Sequence, residues 1–204
     1  RVEMEKTTLW EKAVEFHGHT CLGLAIGFHV AMAAMETLGN ERDVDEQMIA
    51  IVENDNCSVD AIQVITGCTV GKGNLILRDY GKPVYTFALR EKKKAIRISV
   101  KNREEADQNT IASLREKVAA GVASEEEKAL LQEMNAKLIQ DFLSKPSEEV
   151  CEVKEIAYDI PEKARIFPSV ICSTCGEKVM EPRARLRNGK VVCIPCSEHY
   201  TRGW

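Results

Sequence analysis

The sequence predicts an α+β domain followed by a small zinc-ribbon domain. Three observations carry this. Helical apolar spacing with capping residues recurs through the first part of the chain, β-branched runs including an alternating hairpin lie between the helices, and two Cys-x-x-Cys pairs stand near the C-terminus. The core domain is placed at residues 1–162 and the ribbon at 163–204.

Thr8 followed by Glu11 is a capping-box pattern, so a short helix is expected from there to about Phe16. A polar knot follows, His17-Gly18-His19-Thr20-Cys21. A long helix is expected from about Cys21 to Leu38, with Gly39 as its stop, and Ala25, Ala31, Ala33 and Ala34 let it pack closely on several sides. Met48 to Glu53 is a short β-branched run that reads as a buried strand. Asn54-Asp55-Asn56 favours a turn, and Val59, Ile62 and Ile65 have helical spacing within Ser58 to Thr66, ended by Gly67. Val84 to Leu89 and Ala95 to Val100 flank a polar turn, and alternation at Ile96, Ile98 and Val100 predicts an antiparallel hairpin. Helices are expected at about Glu104 to Ala119 and Glu125 to Leu143, the second opened by a Ser124–Glu127 capping box. Val150 to Ile156 reads as a last strand, and Pro161 to Pro168 as the linker.

Composition bounds the function. The 204 residues are 44% hydrophobic and 29% charged, as in an ordinary globular protein. A net charge of −4 disfavours a general nucleic-acid coat. The longest uncharged stretch, Thr20 to Met35, is short of the roughly 20 residues that span a bilayer, and Arg1 to Lys6 opens no signal peptide. The expected localisation is therefore cytoplasmic, with no membrane partner.

The ribbon pattern is Cys172-Ser173-Thr174-Cys175, then 17 residues, then Cys193-Ile194-Pro195-Cys196. Each Cys-x-x-Cys turn brings two sulfurs to one ion, and two such turns complete a tetrahedral zinc shell with no open position, so this zinc is structural. A module of this size buries too little core alone, and metal supplies the missing stability. Asn188-Gly189 is a hairpin turn signal between the pairs. Arg183, Arg185 and Arg187 alternate and are expected on one strand face. With Lys190 and Arg202 they could meet nucleic acid or an anionic partner, but the acidic chain favours a solvated face.

The knot places two imidazoles and a thiol within five residues, and Cys21 and Cys57 both begin predicted helices. His17, His19, Cys21 and Cys57 could converge on a metal that accepts mixed nitrogen and sulfur ligands. Equally, the histidines could cap the helix and the thiols could be small buried side chains. Asp60 and Gln63 are candidates to support such a site, or ordinary surface polars, and His29 reads as a core or interface histidine. Gly71-Lys72-Gly73-Asn74 fails the P-loop template, because three residues rather than four separate Gly67 from Gly71 and Gly73 stands where Ser or Thr is needed. Cys68 and Lys72 remain as candidates to bind a small anionic ligand there, against a tight turn that joins helix to strand.

Together, Phe16-His17-Gly18-His19-Thr20-Cys21-Leu22-Gly23, Cys57 with Asp60-Ala61-Ile62-Gln63, and Thr66 through the glycine loop to Leu75 resemble the FmdE-like family, which takes its name from a component of molybdenum formylmethanofuran dehydrogenase. Leu22 stands where that family usually has proline. The resemblance implies an α+β core with a mixed β-sheet flanked by helices, described as thioredoxin-like, and then the zinc tail. It also implies a second metal, zinc, at His17, His19, Cys21 and Cys57, with Cys68 and Lys72 at the glycine-loop positions. The leading expectation is an accessory or regulatory protein that binds metal and a small ligand, forms a homodimer, and associates with dehydrogenase subunits. The alternatives are a stand-alone metalloenzyme that activates water on the core metal, and a zinc-ribbon nucleic-acid or protein adaptor.

Overall fold

The computed structural model describes residues 2–39, 42–102 and 108–198, which divide into two compact units, Arg1–Lys163 and Ala164–Trp204. In the first, α1 (Val2–His17) and α2 (Leu22–Leu38) are followed by β1 (Met48–Val52) and α3 (Ser58–Thr66), and then by β2 (Leu75–Leu77), β3 (Val84–Leu89) and β4 (Lys94–Val100). Then come α4 (Gln108–Ala119), α5 (Glu125–Ser144), α6 (Ser147–Val150) and β5 (Cys151–Ile156). The sheet is mixed, in the order β2-β1-β3-β4-β5: β2 runs parallel to β1, and the other pairs are antiparallel.

β1 and β3 sit inside the sheet, and β1 is buried along its whole length. Tyr85, Phe87, Ile96 and Ile98 are all under 2% exposed, and each such burial stabilises the fold by about 1.5–3 kcal/mol. Helix α2 is apolar on nearly every side and lies within this core among α3, α5 and the sheet. A Cβ on Gly27 would stand 2.1 Å from the Ser58 carbonyl oxygen, so only glycine lets α2 pass this close to α3. Cys21 caps the start of α2, and Gly39 ends it in the left-handed region.

α1 begins at Val2, so the Thr8–Glu11 pattern lies inside the helix and is not its start. Ala13 is fully buried, with Leu9, Trp10 and Val14 packed against the core, and this apolar stripe outweighs the weak preference of a mid-helix threonine for a cap. β2 and α6 are additional to the expected elements. The Ser124–Glu127 capping box is present in both directions, with Glu127 N donating to Ser124 Oγ at 3.2 Å and Ser124 N donating to Glu127 Oε2 at 3.0 Å. The expected start of α4 at Glu104 lies outside the described residues. Among those described, no helix is long and apolar enough to cross a membrane.

The second unit has two short hairpins. β6 (Ser169–Ile171) pairs with β7 (Lys178–Met180), and β8 (Arg185–Arg187) with β9 (Lys190–Val192). Asn188 at φ 49° and Gly189 at φ 72° make the tight turn of the second. Arg183 falls in a 3-10 turn, Glu181–Arg183, because Pro182 there cannot join a strand ladder, so it does not continue the face of Arg185 and Arg187. Arg202 lies outside the described residues.

Candidate metal centre

α1 ends at His17, where Gly18 N donates to Val14 O at 2.8 Å. Gly18 then takes φ 89°, a conformation open to glycine, and the turn sets the His17 and His19 rings 4.4 Å apart. Beyond His19, Cys21 begins α2, and its sulfur accepts from Leu24 N at 3.3 Å. One donor atom from each of His17, His19 and Cys21 lies within 4.8 Å of the others, a spacing that can hold one ion.

The orientation of His17 comes from a distant element. Asn56 Oδ1 accepts from Ser58 N at 2.9 Å and Ser58 Oγ at 2.6 Å, which starts α3, and Ser58 Oγ also bonds the Tyr85 hydroxyl at 2.6 Å. This fixed first turn carries Asp60, whose Oδ2 accepts from His17 Nδ1 at 2.7 Å. A carboxylate only accepts, so the bond places the ring proton on Nδ1 and leaves the Nε2 lone pair facing Cys21 Sγ, 3.7 Å away. This carboxylate–histidine arrangement is the one that orients metal-ligating imidazoles. Gln63 Nε2 reaches the other oxygen of Asp60 at 3.5 Å.

Cys57 stands beside this cluster but outside the three-donor set. Burial and a hydrogen bond with Cys21 push its thiol above the ordinary range. Both thiols pack against Gly23, where a Cβ would come 3.1 Å from Cys57 Cβ, with the Cys57 and Cys21 sulfurs at 3.7 and 3.9 Å. A cavity of about 360 Å3 opens next to His17, Cys57 and Asp60, with Val59, Val70 and Leu75 on its apolar side and Asp55 at its edge. A larger cavity of about 560 Å3, lined by Leu9, Lys12 and Phe16 among others, has no thiol or imidazole.

Cys68 and Lys72, expected to meet a ligand, are used by the loop itself. Cys68 is fully buried in the core, donates to Met48 O at 3.5 Å, and burial pushes its thiol up to about 12. Lys72 Nζ donates to Asp43 O at 3.1 Å. Thr69 N, Lys72 N, Gly73 N and Leu75 N are likewise bonded within the loop. His29 lies in the core, bonded to Phe142 O at 3.0 Å and Ser147 Oγ at 3.3 Å.

In the second unit the sulfurs of Cys172, Cys175, Cys193 and Cys196 lie within 4.8 Å of one another. Cys193 N donates to Cys172 Sγ at 3.3 Å, and backbone donors from Cys175 and Cys193 draw the Cys172 thiol down to about 6. The hydrogen bond with Cys193 pushes the Cys196 thiol up to about 12. Four sulfurs this close suit a cation that takes them all as thiolates.

Fold and clusters thus define a metal-binding α+β protein with a C-terminal zinc-finger region. The chain belongs to the FmdE family: the profile described as FmdE, Molybdenum formylmethanofuran dehydrogenase operon, matches residues 16–152. A second profile, the prokaryotic dksA/traR C4-type zinc finger, matches residues 165–202. A curated relative in Archaeoglobus fulgidus, named a probable S-adenosyl-L-methionine-binding protein, is 34% identical over 201 residues, which cover 95% of this chain. The chain spans 54% of that relative's length. A crystal structure of a tungsten formylmethanofuran dehydrogenase FmdE-like protein from Syntrophus aciditrophicus shares the fold, with TM-score 0.60 and 20% identity over 94% of this chain and 91% of that one.

Proposed function

We propose that the protein is an accessory or regulatory metal-binding member of the FmdE family, with a structural zinc on Cys172, Cys175, Cys193 and Cys196 and a second zinc on His17, His19 and Cys21. The observation that carries the core site is the 2.7 Å bond from His17 Nδ1 to Asp60, which turns the bare Nε2 toward Cys21. Three side-chain donors leave a coordination position for a small ligand, with Cys57 adjacent. A binding role is favoured over hydrolysis because Asp60, the carboxylate beside the cluster, is engaged in orienting His17 at 2.7 Å. Metal analysis of the full chain tests this. Two zinc ions per chain are expected, falling to one in Cys172→Ser and to one in His17→Ala; two ions retained in His17→Ala would sink the core site.

A second reading is favoured by the cavity of about 360 Å3, whose aspartates and apolar wall suit a cationic ligand. A sulfonium nucleoside of the kind named for the Archaeoglobus relative has that chemistry. Calorimetric titration of the full chain with S-adenosylmethionine decides it, and an absence of saturable heat removes this reading.

A further inference from the structure

Cys21 does not line the cavity beside His17 but does line another one. A second pocket, of about 170 Å3, lies between the start of α2 and the hairpin of α4 and α5. Thr20 and Cys21 form one end and Arg115 with Asn135 the other, while Leu22, Leu138 and Ile139 supply the apolar wall. The two ends differ in chemistry: a candidate metal ligand stands at one and a guanidinium at the other.

Arg115 is exposed on α4 and makes one side-chain hydrogen bond, to a neutral partner. Its Nη2 donates to Asn135 Oδ1 at 2.9 Å, which fixes one edge of the guanidinium and leaves its other N–H groups to spare. Among the described residues no carboxylate pairs with Arg115, none lines this pocket, and the first turn of α2 has no acidic residue. The cavity on the other side of the cluster is opposite in character, because its charged lining is Asp55 and Asp60. An anion is therefore attracted to the Arg115 side and repelled from the other.

We infer that the pocket binds a small carboxylate that carries a second oxygen donor, with that donor toward the core metal at Cys21 and the carboxylate on the fork of Arg115. A guanidinium presents two parallel donors that match the two carboxylate oxygens. A pocket of about 170 Å3 suits a short-chain acid. The inference rests on the core-metal reading and identifies the ligand class of that same site.

Cobalt-substituted full-length protein tests both parts. The closed four-cysteine site has no position for an added anion, so glycolate should alter only the visible bands of the core cobalt, and saturably. Arg115→Gln should weaken glycolate about tenfold to hundredfold with the cobalt count unchanged. Arg115→Lys, which keeps the charge and loses the fork, should fall between, and Lys72→Gln should bind as the parent does. Equal glycolate affinity in Arg115→Gln, no spectral response in the parent, or a response to inorganic phosphate with none to glycolate would each overturn the carboxylate inference while two metals remain bound. Retention of both metals in His17→Ala is the separate result that overturns the core-metal reading beneath it.

Discussion

Asp60 touches no candidate metal directly, yet it decides what His17 can do. Its carboxylate holds the Nδ1 proton at 2.7 Å, and both the ring orientation and the free Nε2 follow from that bond. Asp60→Ala should weaken metal at the core about tenfold to hundredfold and leave the four-cysteine site unchanged, as competition with a chelating dye would show. His29 is a histidine of a different kind, buried at 3% exposure, with α5 and α6 supplying its partners. Burial, helped by the positive charge of Lys6, lowers its pKa from the ordinary 6.5. Below pH 6.5 the unfolded chain thus binds a proton that the folded chain resists, so His29 makes stability fall as the pH drops from 6.5 toward its folded value. His29→Gln keeps a donor for Phe142 O and should flatten this part of the stability profile in urea titrations between pH 7 and pH 5. An unchanged slope would show that other groups dominate acid sensitivity.

At the scale of elements, the contact of α2 with α3 brings the knot to Asp60 and Cys57. Gly27→Ala would drive a methyl into the Ser58 backbone, where no flexible side chain can yield, so a loss of about 3 kcal/mol is expected by chemical denaturation. The same shift would move Asp60 from His17, and core metal affinity should fall with stability. The long elements are legible in the sequence: α2 with its glycine stop, α3, and the β3–β4 hairpin all have strong periodicity or turn residues. β2 is three residues long and owes its existence to parallel pairing with β1, which leaves no local pattern. The start of α1 is not legible, because a capping box is a local signal and the Leu9, Trp10 and Ala13 stripe is a tertiary one. At the site, His17, His19 and Cys21 are neighbours in sequence, so their clustering is readable. The pairing of His17 with Asp60 spans 43 residues, and Arg115 reaches the Cys21 pocket from a helix that has no motif, so neither follows from spacing.

At the scale of the whole molecule, the two units are stabilised by different means. The first encloses a continuous apolar cluster that runs from Ala13 through α2 and the sheet to Phe142 and Cys151, and needs no ion to form it. In the second, the buried members among the described residues are Cys172, Val192 and Cys193, two of which are candidate zinc ligands. One buried valine contributes about 2 kcal/mol, against about 10 kcal/mol or more for a structural zinc, so the metal term decides whether this unit folds. Stripping metal from the full chain with a strong chelator should therefore collapse the amide resonances of β6 to β9 into the random-coil range. Those of β1, β3 and β4 should persist, and added zinc should restore the lost set. Cys175→Ser should reproduce the collapse without chelator, since it removes one of the four sulfurs and leaves the core sequence unaltered. If β6 to β9 kept their dispersed resonances after chelation, with metal analysis confirming that zinc had gone, the ribbon would have to be held by packing, and zinc would lose its role as the folding element of this unit.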